Sequence, residues 1–357
     1  MRGIQNGALI MGRHENAMIF RDTETMCRTH PRLRESISFS RANQKLILEG
    51  DAVPAPEGDG GAMGQLVVSP KRTFEAASAY ARTMKTCVLN FASASNPGGG
   101  VVNGSSAQEE ALCRCSSLYF NLNTNEMWDG FYSPHRAARD PIHNNDIIYT
   151  PRVMVFKSDT AFPSALPEAD WYELDVISCA APNLREHPSN SMNSGDGDRR
   201  IQLAPDELRR LHEKRLARIL NVAAANGEEA VILGAFGCGA FRNDPKVVAA
   251  AAAAVIPQYR TRFKVIEFAI YCRPGDTQHY DAFKTAFGPS AAKAPAPLGG
   301  NEAGAKLFAQ GVLRSPPAPR RARRLCRRCA RGRWRGGSAP ARSRPCAGPL
   351  RRAASAW

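Results

Sequence analysis

Glu109 and Glu110 stand side by side shortly after a run of three glycines, Gly98-Gly99-Gly100, with only Val101 to Ala107 and Gln108 between. Carboxyls in adjacent positions suggest proton chemistry. Glycines in a row suggest a backbone that must approach something closely and adopt positive φ. Ser106 lies three residues before Glu109, a capping-box spacing, so a helix is expected to begin there with both acids in its first turn. Acids in a first turn also complement the helix dipole, and taken alone the pair has that ordinary explanation. Three glycines beside it favour a substrate loop. Adjacent helical residues point about 100° apart. The two carboxyls therefore cannot flank one glycosidic bond as an ordinary glycosidase pair does. One carboxyl is expected to move the proton and the other to hold sugar hydroxyls.

A second stretch carries chemistry of another kind. An apolar run, Ala230-Val231-Ile232-Leu233, leads into Gly234, Gly237 and Gly239, and Asp244-Pro245 then opens a helix. Strand, glycine loop and helix together present backbone N–H groups to a phosphate or diphosphate. No Lys-Ser/Thr follows the loop, and the spacing does not fit GxGxxG, so neither a Walker A site nor a Rossmann site is expected. A tight strand-to-helix turn without a ligand is the alternative. Phe236 and Phe241 weigh against it, since an aromatic beside a phosphate loop can stack on a base or cover a ribose.

The elements that must position these loops are legible as alternating strands and helices. Strands are expected at Gln65–Val68, Thr86–Phe91, Ile147–Lys157, Leu174–Ala180, Ala230–Phe236 and Val265–Cys272. Several are continuous apolar runs, as in strands covered on both faces. Leu208, Leu211, Leu216, Ile219, Leu220 and Ala223 follow helical spacing, with Asp206 near the start and Gly227 past the end. Asp244 and Pro245 read as N-cap and first residue of a helix through the alanine-rich 248–254 stretch. The pattern is that of a three-layer α/β domain. Before it, a mixed segment with a Gly/Pro/Asp-rich break at 49–64 reads as a helical N-terminal region and a loop.

The bulk numbers limit the alternatives. The 357 residues suffice for one large or two ordinary domains. No stretch approaches a membrane span, and the N-terminus lacks a convincing signal peptide. The ten cysteines are scattered, several (Cys87, Cys179, Cys238, Cys272) inside apolar runs, which fits buried thiols in a reducing compartment. The expected location is the cytoplasm, with the nucleus left open. The net charge of +15 belongs to the C-terminus: 14 arginines lie between Arg314 and Arg352, and without them 34 basic residues face 33 acidic ones. The Ala/Pro/Gly/Ser/Arg composition from about Pro289 predicts disorder. That tail could touch polyanions nonspecifically through Arg320 to Arg335, or be an extension without function. Cys326-x-x-Cys329 is only half a zinc site, and the dispersed histidines give no metal-ligand cluster. Neither a metal nor a cofactor is expected.

Asn96-Pro97-Gly98-Gly99-Gly100, seven residues, then Gln108-Glu109-Glu110 resembles the signature of poly(ADP-ribose) glycohydrolases. Leu89-Asn90-Phe91-Ala92-Ser93, Val176 to Asn183 and Leu233 to Phe241 resemble the compact microbial and bacterial branch, over about residues 10–275. The resemblance implies a macrodomain-like α/β/α core with a mixed sheet: an N-terminal helical extension at 1–80, a catalytic domain at 81–288 and the tail at 289–357. It implies hydrolysis of the ribose–ribose bond of ADP-ribose polymers, carried free or on ADP-ribosylated proteins, and no membrane partner. By the same resemblance Glu110 is the catalytic acid/base and Glu109 binds hydroxyls of the adjoining ribose. Gly98, Gly99 and Gly100 wrap the terminal ribose and diphosphate. Gly234, Ala235, Phe236, Gly237, Cys238, Gly239 and Ala240 hold the diphosphate, and Phe241 packs against the bound ADP-ribose. Asn90, Asn96 and Gln108 help to place riboses or the first loop. Glu110 must arrive protonated, so partial burial and the Glu109 charge should raise its pKa. Ala240 and Arg242 depart from the family pattern, which leads one to expect a larger apolar residue and a glycine or small residue. Two other functions remain open: a macrodomain that binds ADP-ribose without cutting it, which would not need Gln108-Glu109-Glu110, and a hydrolase of protein-linked mono-ADP-ribose.

Overall fold

All six apolar runs form strands, and the reason lies in the sheet they build. The computed structural model describes residues 12–288 apart from 56–60, 190–194 and 274, together with the backbone of 3–5 and 8–10. In chain order the elements are a small hairpin of β1 (Gly3–Gln5) and β2 (Ala8–Ile10), then α1 (Arg13–Thr29), α2 (Pro31–Asn43), β3 (Lys45–Ile47), β4 (Gln65–Ser69) and α3 (Thr73–Ala77). Next come β5 (Thr86–Phe91), α4 (Gln108–Cys115), α5 (Leu118–Leu122), α6 (Asn125–Met127), α7 (Ser133–Ala138), β6 (Ile147–Val155) and β7 (Tyr172–Cys179). The last are α8 (Pro205–Ala225), β8 (Ala230–Leu233), α9 (Pro245–Val255), β9 (Val265–Ala269) and α10 (Gln278–Phe287). The tail from 289 lies outside the described residues.

Seven strands form one mixed sheet in the order β3-β6-β7-β5-β8-β9-β4. β5 runs parallel to both β7 and β8, and β9 parallel to β8 and β4, while β6 is antiparallel to β7 and β3. Both faces are covered, which is why the strands are apolar without alternation. Leu89, Ile177, Leu233 and Phe268 point to one core with Ile219 and Leu220 of α8, Val248 of α9 and Phe283 of α10. Val88, Val176 and Ile232 point to the other with Phe74 of α3, Leu112 of α4 and Leu118 of α5. This is the three-layer α/β/α arrangement the sequence predicts. Asp244 caps α9 as expected, its carboxylate accepting from Lys246 N, with Pro245 at the first position.

Two features differ from the expectation. The sheet draws β3, an unexpected strand, from before residue 81 beside the expected β4, and the helices of that segment are α1, α2 and the short α3. Helix α4 starts one residue later than the capping-box spacing predicts: its N-cap is Ala107, whose side chain makes no cap hydrogen bond.

The N-terminal helices are fastened to the core by buried polar contacts. Lys157 Nζ donates to Ile19 O and Thr23 Oγ1 at 3.0 and 2.8 Å and pairs with Asp22 at 2.7 Å. Thr23 Oγ1 donates to Arg114 O on α4 at 2.6 Å, and Asn16 Nδ2 to Gly104 O at 3.2 Å. No helix among the described residues is long and apolar enough to cross a membrane.

Candidate active site

Parallel strands all deliver their following loops to one edge, and β5 sits where neighbours on its two sides connect in opposite directions. Ligands of open α/β sheets bind at such a point, outside the C-terminal strand ends. A cavity of about 800 Å³ opens there. Its walls come from the loops after β4 (Lys71, Arg72, Thr73), β5 (Ser93, Gly99, Gly100), β7 (Arg185), β8 (Ala235, Gly237, Gly239, Ala240, Phe241) and β9 (Ile270, Tyr271).

The two glutamates lie at its floor, and both are buried, at 3% and 7% exposure. Strong donors hold Glu109: Ser93 N at 2.7 Å on Oε2 and Asn90 Nδ2 at 3.2 Å on Oε1. Glu110 Oε1 accepts from Gly100 N at 2.9 Å. Glu110 Oε2 is buried and has no hydrogen-bond partner. Although the residues are adjacent in the helix, the first loop brings the carboxyls together. A Cβ on Gly99 would lie 2.6 Å from Glu110 Oε1 and 3.2 Å from Glu109 Oε2, and the residue has φ +57°. Only glycine both adopts that backbone and leaves room for the pair.

Burial, full rather than partial, pushes both carboxyls up. Glu109 rises to about 8, through desolvation first and the Glu110 charge second. Glu110 also rises through desolvation, opposed by the Gly100 N–H and the Arg114 charge. Two such neighbours share a proton. Glu109 accepts from the Ser93 backbone and the Asn90 amide, whereas Glu110 Oε2 is left without a partner among the described residues.

Gln108 lines the cavity, but its amide is engaged elsewhere. Oε1 accepts from Phe91 N at 2.9 Å, and Nε2 donates to Leu89 O at 2.8 Å and Thr73 Oγ1 at 3.1 Å. It ties the start of α4 to the end of β5. Asn90 is fully buried, bridging Glu109 and Ser178 Oγ. Asn96 does not line the cavity; its Oδ1 accepts from Arg136 Nη2 at 2.7 Å. Gly98 packs behind the loop against Tyr119 and Cys113.

In the second loop, Gly234 packs under Phe91, and Phe236 is buried between Phe91 and His212, with ring centroids 5.6 and 5.8 Å apart. Cys238 is likewise buried. Arg242, where the family pattern leads one to expect a glycine or small residue, has φ +62°. Sequence reasoning missed Arg72, Asp159, Arg185 and Tyr271, which line the cavity, and Arg13 and Asn16 of α1. They come from distant segments that only the sheet order brings together. Arg185 alone carries a local signal, following the quoted run to Asn183.

Residues 18–158 match the family model described as microbial-type PARG, catalytic domain. No curated protein matches the chain. Among solved structures, poly(ADP-ribose) glycohydrolase from Thermomonospora curvata is similar at 26% identity and TM-score 0.64, over 77% of this chain and 100% of that one. The same enzyme bound to the inhibitor ADP-HPD gives 27% identity and TM-score 0.64 over the same shares. The Deinococcus radiodurans enzyme in complex with ADP-ribose gives 28% and 0.60, over 70% of this chain and 96% of that one. The resemblance read from the two glycine motifs therefore holds in sequence and in fold.

Proposed function

We propose that this chain is a poly(ADP-ribose) glycohydrolase, hydrolysing the ribose–ribose O-glycosidic bond of ADP-ribose polymers to release ADP-ribose. The observation that carries it is the carboxyl pair at Gly99 on the cavity floor: Glu109 held by donors, Glu110 with one buried, unpartnered oxygen. A reader of ADP-ribose needs the phosphate loop but has no use for a buried carboxyl pair that keeps a proton at neutral pH.

The chemistry follows from that division. Cleavage of the bond develops positive charge on the ribose ring and negative charge on the leaving oxygen. Glu110 Oε2 donates its proton to the leaving ribose oxygen. The resulting carboxylate accepts a proton from the attacking water. Glu109 retains lone pairs beyond its two donors and can accept from ribose hydroxyls. The backbone of Ala235 to Gly239 holds the diphosphate, and Phe241 covers the bound unit. The polymer, free or on ADP-ribosylated proteins, is the partner.

Release of ADP-ribose from purified polymer by the native chain and by Glu110→Gln tests this. General acid–base help is worth about 10²–10⁴ in rate, so the variant should lose at least about 100-fold while still binding ADP-ribose. Full turnover by Glu110→Gln would refute the assignment of the acid. Binding without release by the native chain would make the protein a reader, or a hydrolase of protein-linked mono-ADP-ribose.

A further inference from the structure

The loop after β7 forms a wall of the cavity, and its cation is one that the proposed mechanism leaves unused. Arg185 lines the cavity and is half-buried. Its guanidinium is held in place from two sides. Nε donates to Asn183 Oδ1 at 3.0 Å and Nη2 to Pro188 O at 2.8 Å. Asn183 is itself fixed, Nδ2 donating to Asp196 Oδ2 at 2.7 Å. The plane stands over the Phe241 ring, 5.5 Å from its centroid. The loop is stitched to the phosphate loop as well: Leu184 N donates to Phe241 O at 2.9 Å, and Asn243 Nδ2 to Pro182 O and Gly237 O at 2.7 and 3.1 Å.

Among the described residues, Nη1 has no protein partner, and the guanidinium forms no direct ion pair. Burial lowers the guanidinium from its ordinary value and the Arg242 charge adds to this, while the charges of Asp196 and Glu110 act against it. A cation thus stands partly desolvated in the cavity wall beside Phe241, pre-oriented, with donor capacity left over. That is the condition under which Arg binds a phosphate well: a fixed fork loses little freedom on binding and makes a charge-assisted hydrogen bond.

We propose that Arg185 is a substrate-binding residue whose guanidinium donates to a phosphate oxygen of the bound ADP-ribose unit. This rests on the ADP-ribose reading of the cavity. The ligand group is the diphosphate, so the adenosine part should not feel the charge.

Calorimetric binding of ADP-ribose and of adenosine to the full chain, native, Arg185→Gln and Arg185→Lys, separates the possibilities. The expected result is a loss of about 10–100-fold in ADP-ribose affinity for Arg185→Gln, the scale of a charge-assisted hydrogen bond. Adenosine affinity should stay within about twofold. Arg185→Lys should recover part of the loss, and the salt dependence of ADP-ribose binding should flatten in Arg185→Gln. An unchanged ADP-ribose affinity overturns the proposal. So does an equal loss for both ligands, which would make Arg185 a brace of its loop and nothing more. A native chain that binds no ADP-ribose overturns the reading of the cavity itself, and the proposal with it.

Discussion

Gly99→Ala tests whether the first glycine loop sets the carboxyl geometry. The perturbation is one methyl group in a place with two constraints. The backbone stands at φ +57°, where an L side chain costs roughly 1–2 kcal/mol. The new Cβ would also sit 2.6 Å from Glu110 Oε1. Moving that oxygen out to even 3.0 Å shifts the carboxyl by about 0.4 Å, and misplacement on the order of 1 Å can cost 100-fold in rate. The expected variant is folded, with Tm lower by about 2–8 °C and kcat for ADP-ribose release lower by about 10–100-fold. Gly227→Ala supplies the control: it has φ +73° with nothing within 4 Å, at the end of α8 and away from the cavity. It should show the same fall in Tm with unchanged kcat. Native turnover by Gly99→Ala, or an equal loss of kcat in both variants, would show that the loop does not position the pair.

Three further outcomes follow from the site. Arg242→Gly should raise Tm by a degree or more, because relief of the φ +62° strain outweighs the backbone entropy of glycine by about 0.5–1 kcal/mol; a lower Tm in thermal unfolding would contradict that. Gly239→Ala should leave Tm unchanged, since nothing lies within 4 Å of its Cβ position, but raise KM if the diphosphate approaches this backbone; an unaltered KM removes Gly239 from the site. The pH–rate profile should show an alkaline limb. Glu109 rises to about 8 and Glu110 rises too, so the pair keeps its shared proton at neutral pH and loses it as pH climbs through about 8, taking activity down tenfold per unit. The stability sign is the same: carboxyls raised in the fold contribute below the ordinary carboxylate value, and that contribution is lost as pH rises toward about 8. A limb near pH 4.5 would mean that the pair is solvated.

The sequence showed those parts of the molecule that depend on neighbours in the chain. Continuous apolar runs marked six strands because both sheet faces are covered. β3 escaped because Lys45-Leu46-Ile47 is a three-residue edge strand with no periodicity to read. The predicted strand at Ala230–Phe236 ends at Leu233 because Gly234 turns the chain, yet Phe236 stays buried in the loop, so its apolar character was read correctly and its conformation was not. The motifs marked the glycine loops and the acids. They did not show that both acids are fully buried, since first-turn glutamates usually face water, nor that Gln108 braces the β5 end. Arg72 and Asp159 come from two different loops, and nothing in their local sequence places them around one cavity.

The same distinction explains what the N-terminal helices contribute to the site. An eight-residue helix does not hold itself together in water, and α4 carries both carboxyls. At its first turn, the Gln108 amide bonds to Leu89 and Phe91 on β5. Near its last turn, Thr23 of α1 bonds to Arg114 O. Between these ends, the loop that shapes the pair passes Gly104, where a Cβ would meet Arg13 O at 1.9 Å, so α1 lies directly against that loop. The extension is therefore the outer support of α4 rather than an appendage. Since Glu110 is placed by the helix backbone and Gly99 by the loop, α1 braces both, and its loosening should cost turnover before it costs ADP-ribose binding, which depends more on the loops after β7 and β8.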